Sequence, residues 1–459
     1  MRRIIAALAL LAASVPPVAA QPDLSRLQTA LDAVPVGGWA SVSLGTWGSA
    51  WPSPRYDGDI GSIAYAWGSM AWDSQRGRLM LWGGGHANYA GNEMYLWDAA
   101  SGLWSRGSLP SAYQSGTSWI VGNGAPQSSH TYDNTAYLPI ADRYVTFGGA
   151  AWNSGSNFDS PAGREGPWLW NPALADPNRV GGQDFTGLNA AALGSNAWQS
   201  RRGSITGTLP PTFVDAASGY RVEGGKDVMY LAADTGASGF PRLYRYEFNP
   251  GGNDIVQQVG VMGPGQTAYQ GTATIDLQRG WMVRTIWGGG PSNDLAVWDL
   301  DANNPGNPGA NQSVGVRLVR PDGTPFDIVT AGGAGSSSGL EFSPNTGTYF
   351  LFRNAQITEI VPGVNPDGSP MTTWTAIDRP CASAVCGNST GQGVHGHWIA
   401  VPELGAMMAI GTYNGTTRDV DVLLYKVVAE VPEPGTWMQL AAGLAVLGGV
   451  AARRRIGSA

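Results

Sequence analysis

The chain has 459 residues, only 13% of them charged, and a formal net charge of −7 at pH 7. Its 66 glycines and 31 prolines indicate turn-rich β structure rather than a helical fold. The acidic balance leaves no basic surface for nucleic acid, so no nucleic-acid partner is expected.

Residues 1–20 have the pattern of a secretory signal peptide. Two arginines follow Met1, an apolar run extends from Ile4 to Val15, and small residues end at Ala20. This order of charged, apolar and small-residue segments is typical of a peptide that signal peptidase removes. We therefore expect export across the inner membrane and a mature chain that begins near Gln21.

A short helix is predicted within residues 21–36. Leu24, Leu27 and Leu31 recur at helical spacing, and Asp23 is placed to cap the first turn. From residue 37 to residue 430 the sequence contains no linker long enough to divide it, so a single domain is expected there.

One pattern of strands recurs from residue 61 onward. Each copy has a strand, a turn with Gly or Asp, a second strand that often ends in glycines, a loop, and a third strand rich in aromatic residues. Repeated strand-only units are typical of a β-propeller, since one such unit cannot bury its own faces. The second strands end near Gly83, Gly148, Ala233, Gly288, Arg353 and Gly411.

The Gly-Gly ends and aromatic third strands resemble the kelch and galactose-oxidase repeat over Gly61 to Val428. The resemblance implies an all-β fold, a six-bladed propeller, with a β-sandwich as the alternative. Trp39 to Trp47 alternates apolar residues on one face. We expect this segment to pair at the edge of the blade that contains Met407 to Ile410, as its missing outer strand, which would close the ring and leave no open edge. The copper chemistry of galactose oxidase requires a crosslink between a tyrosine and a cysteine. It is not expected here, because the two cysteines of this chain are expected to pair with each other.

The four histidines occupy equivalent ends of the repeat. His86 follows three glycines after a second strand, and His130 lies at the start of an innermost strand. His395 and His397 also lie at the start of an innermost strand, two residues apart, so they face the same side of it. In kelch-like propellers such positions share one mouth of the central channel, and the resemblance implies that the four imidazoles converge there.

Three functions remain open for this histidine-lined mouth. The preferred one is binding of an extracellular ligand such as a glycan, with Asn88, Asn92 and Glu93 as further polar contacts. The second is an exported enzyme that uses a first-row transition metal held by the histidines, because neutral imidazoles are common ligands of such metals. The third is a purely structural matrix protein. Walker and HExxH motifs do not occur, and the acidic residues are too scattered to nominate a pair for glycoside hydrolysis.

Cys381 and Cys386 are the only cysteines, and they lie in one loop. An oxidising compartment favours a local disulfide between them. A metal-binding or redox pair is the alternative, although this spacing is not a standard one for metal ligands.

The last 29 residues have three parts in a fixed order. A Pro-Glu-Pro segment precedes 18 uncharged residues, Gly435 to Ala452, and an arginine cluster follows. Such a run is at the lower limit for a membrane-spanning helix, and the arginines would hold its end on the cytoplasmic side.

The order resembles the PEP-CTERM sorting signal of Gram-negative exported proteins. It implies processing by an exosortase, transient anchoring in the inner membrane over residues 431–459, and delivery to the cell surface or an exopolysaccharide matrix. The marker residues are Pro432, Glu433, Pro434, Arg453, Arg454 and Arg455.

Overall fold

The computed structural model describes most of the chain between residues 21 and 429. The described ranges are 21–53, 58–111, 124–152, 167–181, 197–233, 241–266, 270–286, 294–326, 328, 338–353, 355–388 and 392–429. Residues 1–20, the predicted signal peptide, lie outside these ranges. So do residues 431–459, the predicted sorting tail, and Gly288, near which a second strand is predicted to end. Within them, no helix has the length and apolar character needed to cross a membrane.

The described residues form an all-β fold with a propeller-like arrangement of sheets. Helix α1 (Ser25–Asp32) precedes it and packs Leu27 and Leu31 against the core, as the leucine spacing predicts. A second helix, α2 (Ser62–Tyr65), is a single turn. Short 3-10 turns occupy Trp47–Ala50, Pro172–Leu174, Arg202–Ser204, Pro308–Ala310 and Pro402–Leu404.

After β1 (Trp39–Ser41), two sheets follow that are four-stranded antiparallel meanders. The strands of the first are β2 (Met70–Asp73), β3 (Arg78–Leu81), β4 (Tyr95–Asp98) and β5 (Trp104–Arg106). The strands of the second are β6 (Thr135–Leu138), β7 (Arg143–Thr146), β8 (Trp168–Trp170) and β9 (Trp198–Ser200).

The third sheet has five strands, in which the short β10 pairs in parallel with β14 at the outer edge. Its strands are β10 (Ile205–Gly207), β11 (Ala217–Glu223), β12 (Lys226–Ala233), β13 (Arg242–Glu247) and β14 (Asp254–Val261).

An eight-stranded sheet comes next and consists of two antiparallel runs. The first run is β15 (Ala273–Asp276), β16 (Trp281–Thr285), β17 (Leu295–Asp299) and β18 (Val314–Val319). The second is β19 (Gly339–Ser343), β20 (Thr348–Arg353), β21 (Gln356–Val361) and β22 (Thr373–Arg379). The outermost strands of the two runs, β18 and β22, pair in parallel over three residues.

The last sheet joins the two ends of the domain. Its strands are β23 (Trp398–Val401), β24 (Ala406–Ile410), β25 (Val422–Lys426) and β1, with β1 at the outer edge. Trp39 lies opposite Tyr425 in an antiparallel register. The predicted pairing of the N-terminal segment with the last sheet is therefore confirmed. The strand ends at Ser41, and Trp47 instead begins a 3-10 turn, where its N–H donates to the Asp419 carboxylate at 2.9 Å.

A recurring turn explains why the first and second strands of two sheets form hairpins. Asp73 ends β2, and its carboxylate accepts the backbone N–H groups of Gln75 and Arg76. Asp276 ends β15 and accepts the N–H groups of the equivalent Gln and Arg residues. In both turns the arginine side chain returns to the same aspartate, and the following glycine takes a positive φ that favours glycine.

The first strands of the runs surround the centre of the molecule. In order around the centre, β2, β6, β11, β15, β19 and β23 each contact the next, and β23 contacts β2. They enclose a central cavity of about 400 Å³. The apolar core lies between neighbouring sheets, where stacked rings such as Trp281 and Trp374, with centroids 5.9 Å apart, fill the space.

Candidate functional site

The turns that lead into the innermost strands share an unusual backbone conformation. Neighbouring turns are joined by parallel bridges, Ser69 to Gly396 and Asp133 to Ala217, so they lie side by side at one end of the cavity. Five of them contain a non-glycine residue with φ between 32° and 61°, two or three residues before the strand. Left-handed non-glycine residues are uncommon, strain the backbone and cluster at functional sites. These residues are Trp67, Tyr132, Asp215, Gln270 and His395.

The structure brings the predicted histidines together at this end. The ring centroids of His86 and His130 are 5.8 Å apart, and the Tyr132 ring lies 6.1 Å from both His130 and His395. His397 packs against Gly68, where an added Cβ would come within 2.8 Å of Nε2 of His397. We refer to His86, His130, Tyr132, His395 and His397 as the histidine row.

Only His86 of the four imidazoles is exposed, while the other three are at most 2% exposed. Burial, and then the proximity of His86 and His395, lower the pKa of His130 to about 3. Burial likewise lowers the pKa of His395 to about 4 and that of His397 to about 3. The buried imidazoles are therefore neutral at neutral pH.

Asn88 is the one predicted companion of His86 that joins the row. Its Nδ2 lies 3.0 Å from Nε2 of His130, and because an amide nitrogen only donates, that imidazole nitrogen is the acceptor. Within the described ranges, no ring nitrogen of His395 or His397 has a hydrogen-bonding partner of ordinary geometry. A backbone group of Gln392 raises the pKa of His395, and one of Ile63 raises the pKa of His397. In both cases burial has the larger, opposite effect.

Asn92 and Glu93, the other two predicted ligand contacts, are buried, and both side chains make internal hydrogen bonds. Asn92 donates to the carbonyl of Pro126 and accepts from the N–H of Ser111. Glu93 accepts from the hydroxyls of Tyr89 and Tyr95, each at 2.7 Å, and burial raises its pKa.

A metal centre of four histidines does not fit this geometry. No group of three or more His, Cys, Asp or Glu side chains in the described part of the chain is arranged to hold a metal ion. The Tyr132 ring is nearly perpendicular to the rings of both His130 and His395.

The two cysteines lie far from the row. Cys381 and Cys386, for which the sequence predicts a disulfide, are joined in the structure. Their loop covers β1, because the N–H of Trp39 donates to Ser383 Oγ at 2.6 Å and the N–H of Ala382 donates to the carbonyl of Gly37.

The central cavity contains two carboxyl groups that sequence reasoning did not single out. Asp133 follows Tyr132 and accepts from the N–H groups of Ala273 at 2.8 Å and Ser218 at 3.2 Å, both at Oδ2. Glu341, in the middle of β19, accepts from the hydroxyl of Thr274 at 3.0 Å through Oε2. Both carboxyl groups line the cavity.

The protein that surrounds these carboxyl groups disfavours their charged forms. Burial raises the pKa of Asp133 to about 8, although the N–H groups of Ala273 and Ser218 and the nearby Arg284 act in the opposite direction. Burial, and then the proximity of Asp133, raise the pKa of Glu341 well above its ordinary value. At neutral pH the pair is largely protonated and presents O–H donors to the cavity.

The histidine row and the carboxyl pair meet at one glycine. Gly396 lies between His395 and His397 and lines the cavity. A Cβ at this position would lie 2.9 Å from Oδ1 of Asp133 and 2.3 Å from Cβ of Ser69, so only glycine fits here without displacing its neighbours. The row therefore closes the end of the cavity at which Asp133 lies.

Comparisons with known proteins give fold-level likeness only. No protein-family model and no curated protein matches the chain. Among solved structures, an α-L-arabinofuranosidase of Fusarium graminearum aligns with a TM-score of 0.44 at 11% identity, over 83% of this chain and 97% of its own. An auxiliary nutrient binding protein of Bacteroides thetaiotaomicron aligns at 0.39 and 10% identity, over 84% and 76%. A GH43_1 enzyme of Xanthomonas citri aligns at 0.33 and 10% identity, over 89% and 99%.

Proposed function

We propose that the chain is an exported six-bladed propeller that binds a small hydroxyl-rich ligand, such as a sugar unit of a glycan, in its central cavity. The observation that carries this proposal is the pair of Asp133 and Glu341. Only Oδ2 of the first and Oε2 of the second accept a hydrogen bond of ordinary geometry from a described residue, which leaves Oδ1 and Oε1 to a ligand.

The proposal of six blades divides the eight-stranded sheet at its parallel junction. The junction between β18 and β22 covers only three residue pairs at the outer edge, whereas each run has its own innermost strand at the cavity. With this division, every blade contributes one innermost strand, and β1 completes the last blade. This is the arrangement that the kelch resemblance implies.

The size and lining of the cavity suit a sugar unit. Ligand cavities commonly measure about 300 to 1,000 Å³ and combine apolar walls with a few polar groups. Here apolar residues such as Met70, Ile275 and Ile399 contribute to the lining, and Ser218 and Thr274 contribute hydroxyl-bearing side chains beside the carboxyl pair. A protonated carboxyl group both donates and accepts, as the hydroxyl groups of a sugar also do.

We place the ligand in the central cavity and not at the histidine-lined mouth. His395 and His397 are buried, so a ligand at the exposed end would reach His86 and Asn88 first. In the cavity it would reach Asp133 directly. A purely structural matrix role is the alternative in which neither place binds a ligand.

Export and sorting complete the proposed function. We propose that signal peptidase and an exosortase remove residues 1–20 and the tail, so that the domain reaches the cell surface or extracellular matrix. Intact-mass measurement of the protein from its native host should give a chain that begins near Gln21 and ends near the Pro-Glu-Pro segment. Retention of the tail would overturn the exosortase step.

Titration of the mature protein with a panel of monosaccharides, followed by calorimetry, tests the binding proposal. Asp133→Asn and Glu341→Gln should each weaken binding of the best sugar about tenfold or more, because each removes an O–H or carboxylate partner. Asp322→Asn is the matched control, since Asp322 lies in an exposed turn. Equal weakening by the control, or no binding of any member of the panel, would contradict the proposal.

A further inference from the structure

Three side chains that line the central cavity are carboxylic acids. They are Asp133 and Glu341 on the closed side and Glu403 on the other side. Among the described residues, no Lys, Arg or His lines the cavity. The cavity lining can therefore acquire negative charge by loss of a carboxyl proton, and its described residues include no side chain that would repel a cation.

Aromatic rings form much of the remaining wall, and their polar atoms are already engaged. The hydroxyl of Tyr137 donates to Asp142 at 2.7 Å, and the hydroxyl of Tyr220 donates to Asp227 at 2.6 Å. The indole N–H of Trp72 donates to Glu403 at 2.7 Å. The rings themselves therefore line the cavity, and aromatic faces attract cations.

The nearest buried cation does not neutralise the carboxyl pair. Arg284 is 1% exposed, and its guanidinium donates to the carbonyls of Ala232, Asp215 and Gln270. It lowers the pKa of Asp133, but burial outweighs it. The imidazoles of the histidine row that flank Gly396 are neutral, so they add no positive charge.

We infer that the ligand of the central cavity carries a protonated amine, which lies between Oδ1 of Asp133 and Oε1 of Glu341. This inference rests on the proposed function and specifies the ligand further. The ammonium group supplies the N–H donors that both free oxygens accept, and charge-assisted hydrogen bonds of this kind are the strong ones. An amino sugar and a simple alkylamine share this chemistry.

Binding of the ammonium form releases a proton. The free protein holds the proton on the carboxyl pair, and a cation beside the pair stabilises a carboxylate. The carboxyl O–H bond breaks, its proton passes to solvent, and its electron pair stays on the carboxylate that faces the ammonium. A neutral sugar has no such effect, so proton release distinguishes the two kinds of ligand.

Calorimetric titration of the mature protein with glucosamine, glucose, N-acetylglucosamine and propylamine at pH 7 tests this inference. Glucosamine should bind about tenfold or more tightly than glucose or N-acetylglucosamine, which lack the charge. Titrations in two buffers of different ionisation enthalpy should show proton release with glucosamine and none with glucose. Asp133→Asn combined with Glu341→Gln should remove the preference and the release, whereas Asp322→Asn should retain both.

The outcomes separate the inference from the proposed function. Equal binding of glucose and glucosamine would overturn the amine inference and leave the sugar-binding function intact. Equal affinity for propylamine and glucosamine would support the amine and contradict the sugar. No binding of any of the four compounds would contradict both.

Discussion

Asp133 and Glu341 are held by two consecutive residues of one strand, Ala273 and Thr274. The N–H of Ala273 donates to Asp133, and the hydroxyl of Thr274 donates to Glu341. Phe342 N–H donates to the same hydroxyl, which fixes its orientation. Residues more than two hundred positions apart in sequence are thereby fixed beside one strand, because β19 is a neighbour of β15 and the Asp133 side chain, in the turn before β6, reaches the N–H of Ala273.

Replacement of Asp133 by Asn should change how stability depends on pH. The folded state holds the Asp133 proton up to pH about 8, whereas the unfolded chain loses it near pH 4. Between these values the folded state binds more protons, so the wild-type free energy of unfolding falls as pH rises. Asp133→Asn should therefore gain in melting temperature relative to wild type from pH 5 to pH 9. A constant difference across this range would contradict the raised pKa.

The buried histidines should make the protein sensitive to acid. Their imidazoles stay neutral in the folded state to pH about 3 to 4, while the unfolded chain takes up protons below about 6.5. The free energy of unfolding should thus fall as pH falls from 6.5 to 4, by up to about 1.4 kcal/mol per pH unit for each histidine.

Chemical denaturation at several pH values measures this slope. His397→Gln should reduce it, whereas Leu44→Ala, at an exposed side chain that carries no charge, should leave it unchanged. The same slope in wild type and His397→Gln would show that this imidazole charges freely in the folded protein.

Trp39→Ala tests the closure of the ring. Trp39 is 2% exposed and packs against the rings of Phe352, Trp398 and Tyr425, with centroids 5.2 to 5.8 Å away. Loss of this buried side chain should cost about 3–5 kcal/mol in urea denaturation. Leu44→Ala, at a side chain that is 69% exposed, should change stability by less than about 0.5 kcal/mol. Similar effects of the two substitutions would argue against a closed ring.

Reduction of the disulfide should weaken the packing of its loop over β1 and thereby lower stability. The bond spans five residues, so the chain-entropy estimate of its stabilisation is about 2 kcal/mol. Reductant should lower the urea midpoint of wild type, and Cys381→Ser combined with Cys386→Ser should show the lowered midpoint with or without reductant. An unchanged wild-type midpoint would mean that the loop holds β1 without the bond.

Local pattern was sufficient to predict most strands and the closing segment. The run from Arg78 to Leu81 and the aromatic strand from Tyr95 to Asp98 were recognisable because strand alternation and glycine turns are local properties. The placement of the histidines at one end followed from the repeat, since equivalent positions of a ring lie at the same end.

The contents of the cavity could not be predicted in the same way. Asp133 and Glu341 are far apart in sequence, and only the arrangement of the innermost strands around the centre brings both carboxyl groups to β15. Nearness in a loop does not determine side-chain direction either: Glu93 is close to His86 in sequence, but its carboxyl group accepts from the hydroxyls of Tyr89 and Tyr95. One available signal was an acidic residue within an innermost strand, where apolar residues predominate, as at Glu341.

A crystal structure of the mature protein soaked with glucosamine tests the central claim most directly. We predict one sugar in the central cavity, with its amine within hydrogen-bonding distance of Asp133 Oδ1 and Glu341 Oε1. Glucosamine bound instead beside His86, or on an outer face with only water between the two carboxyl groups, would contradict it.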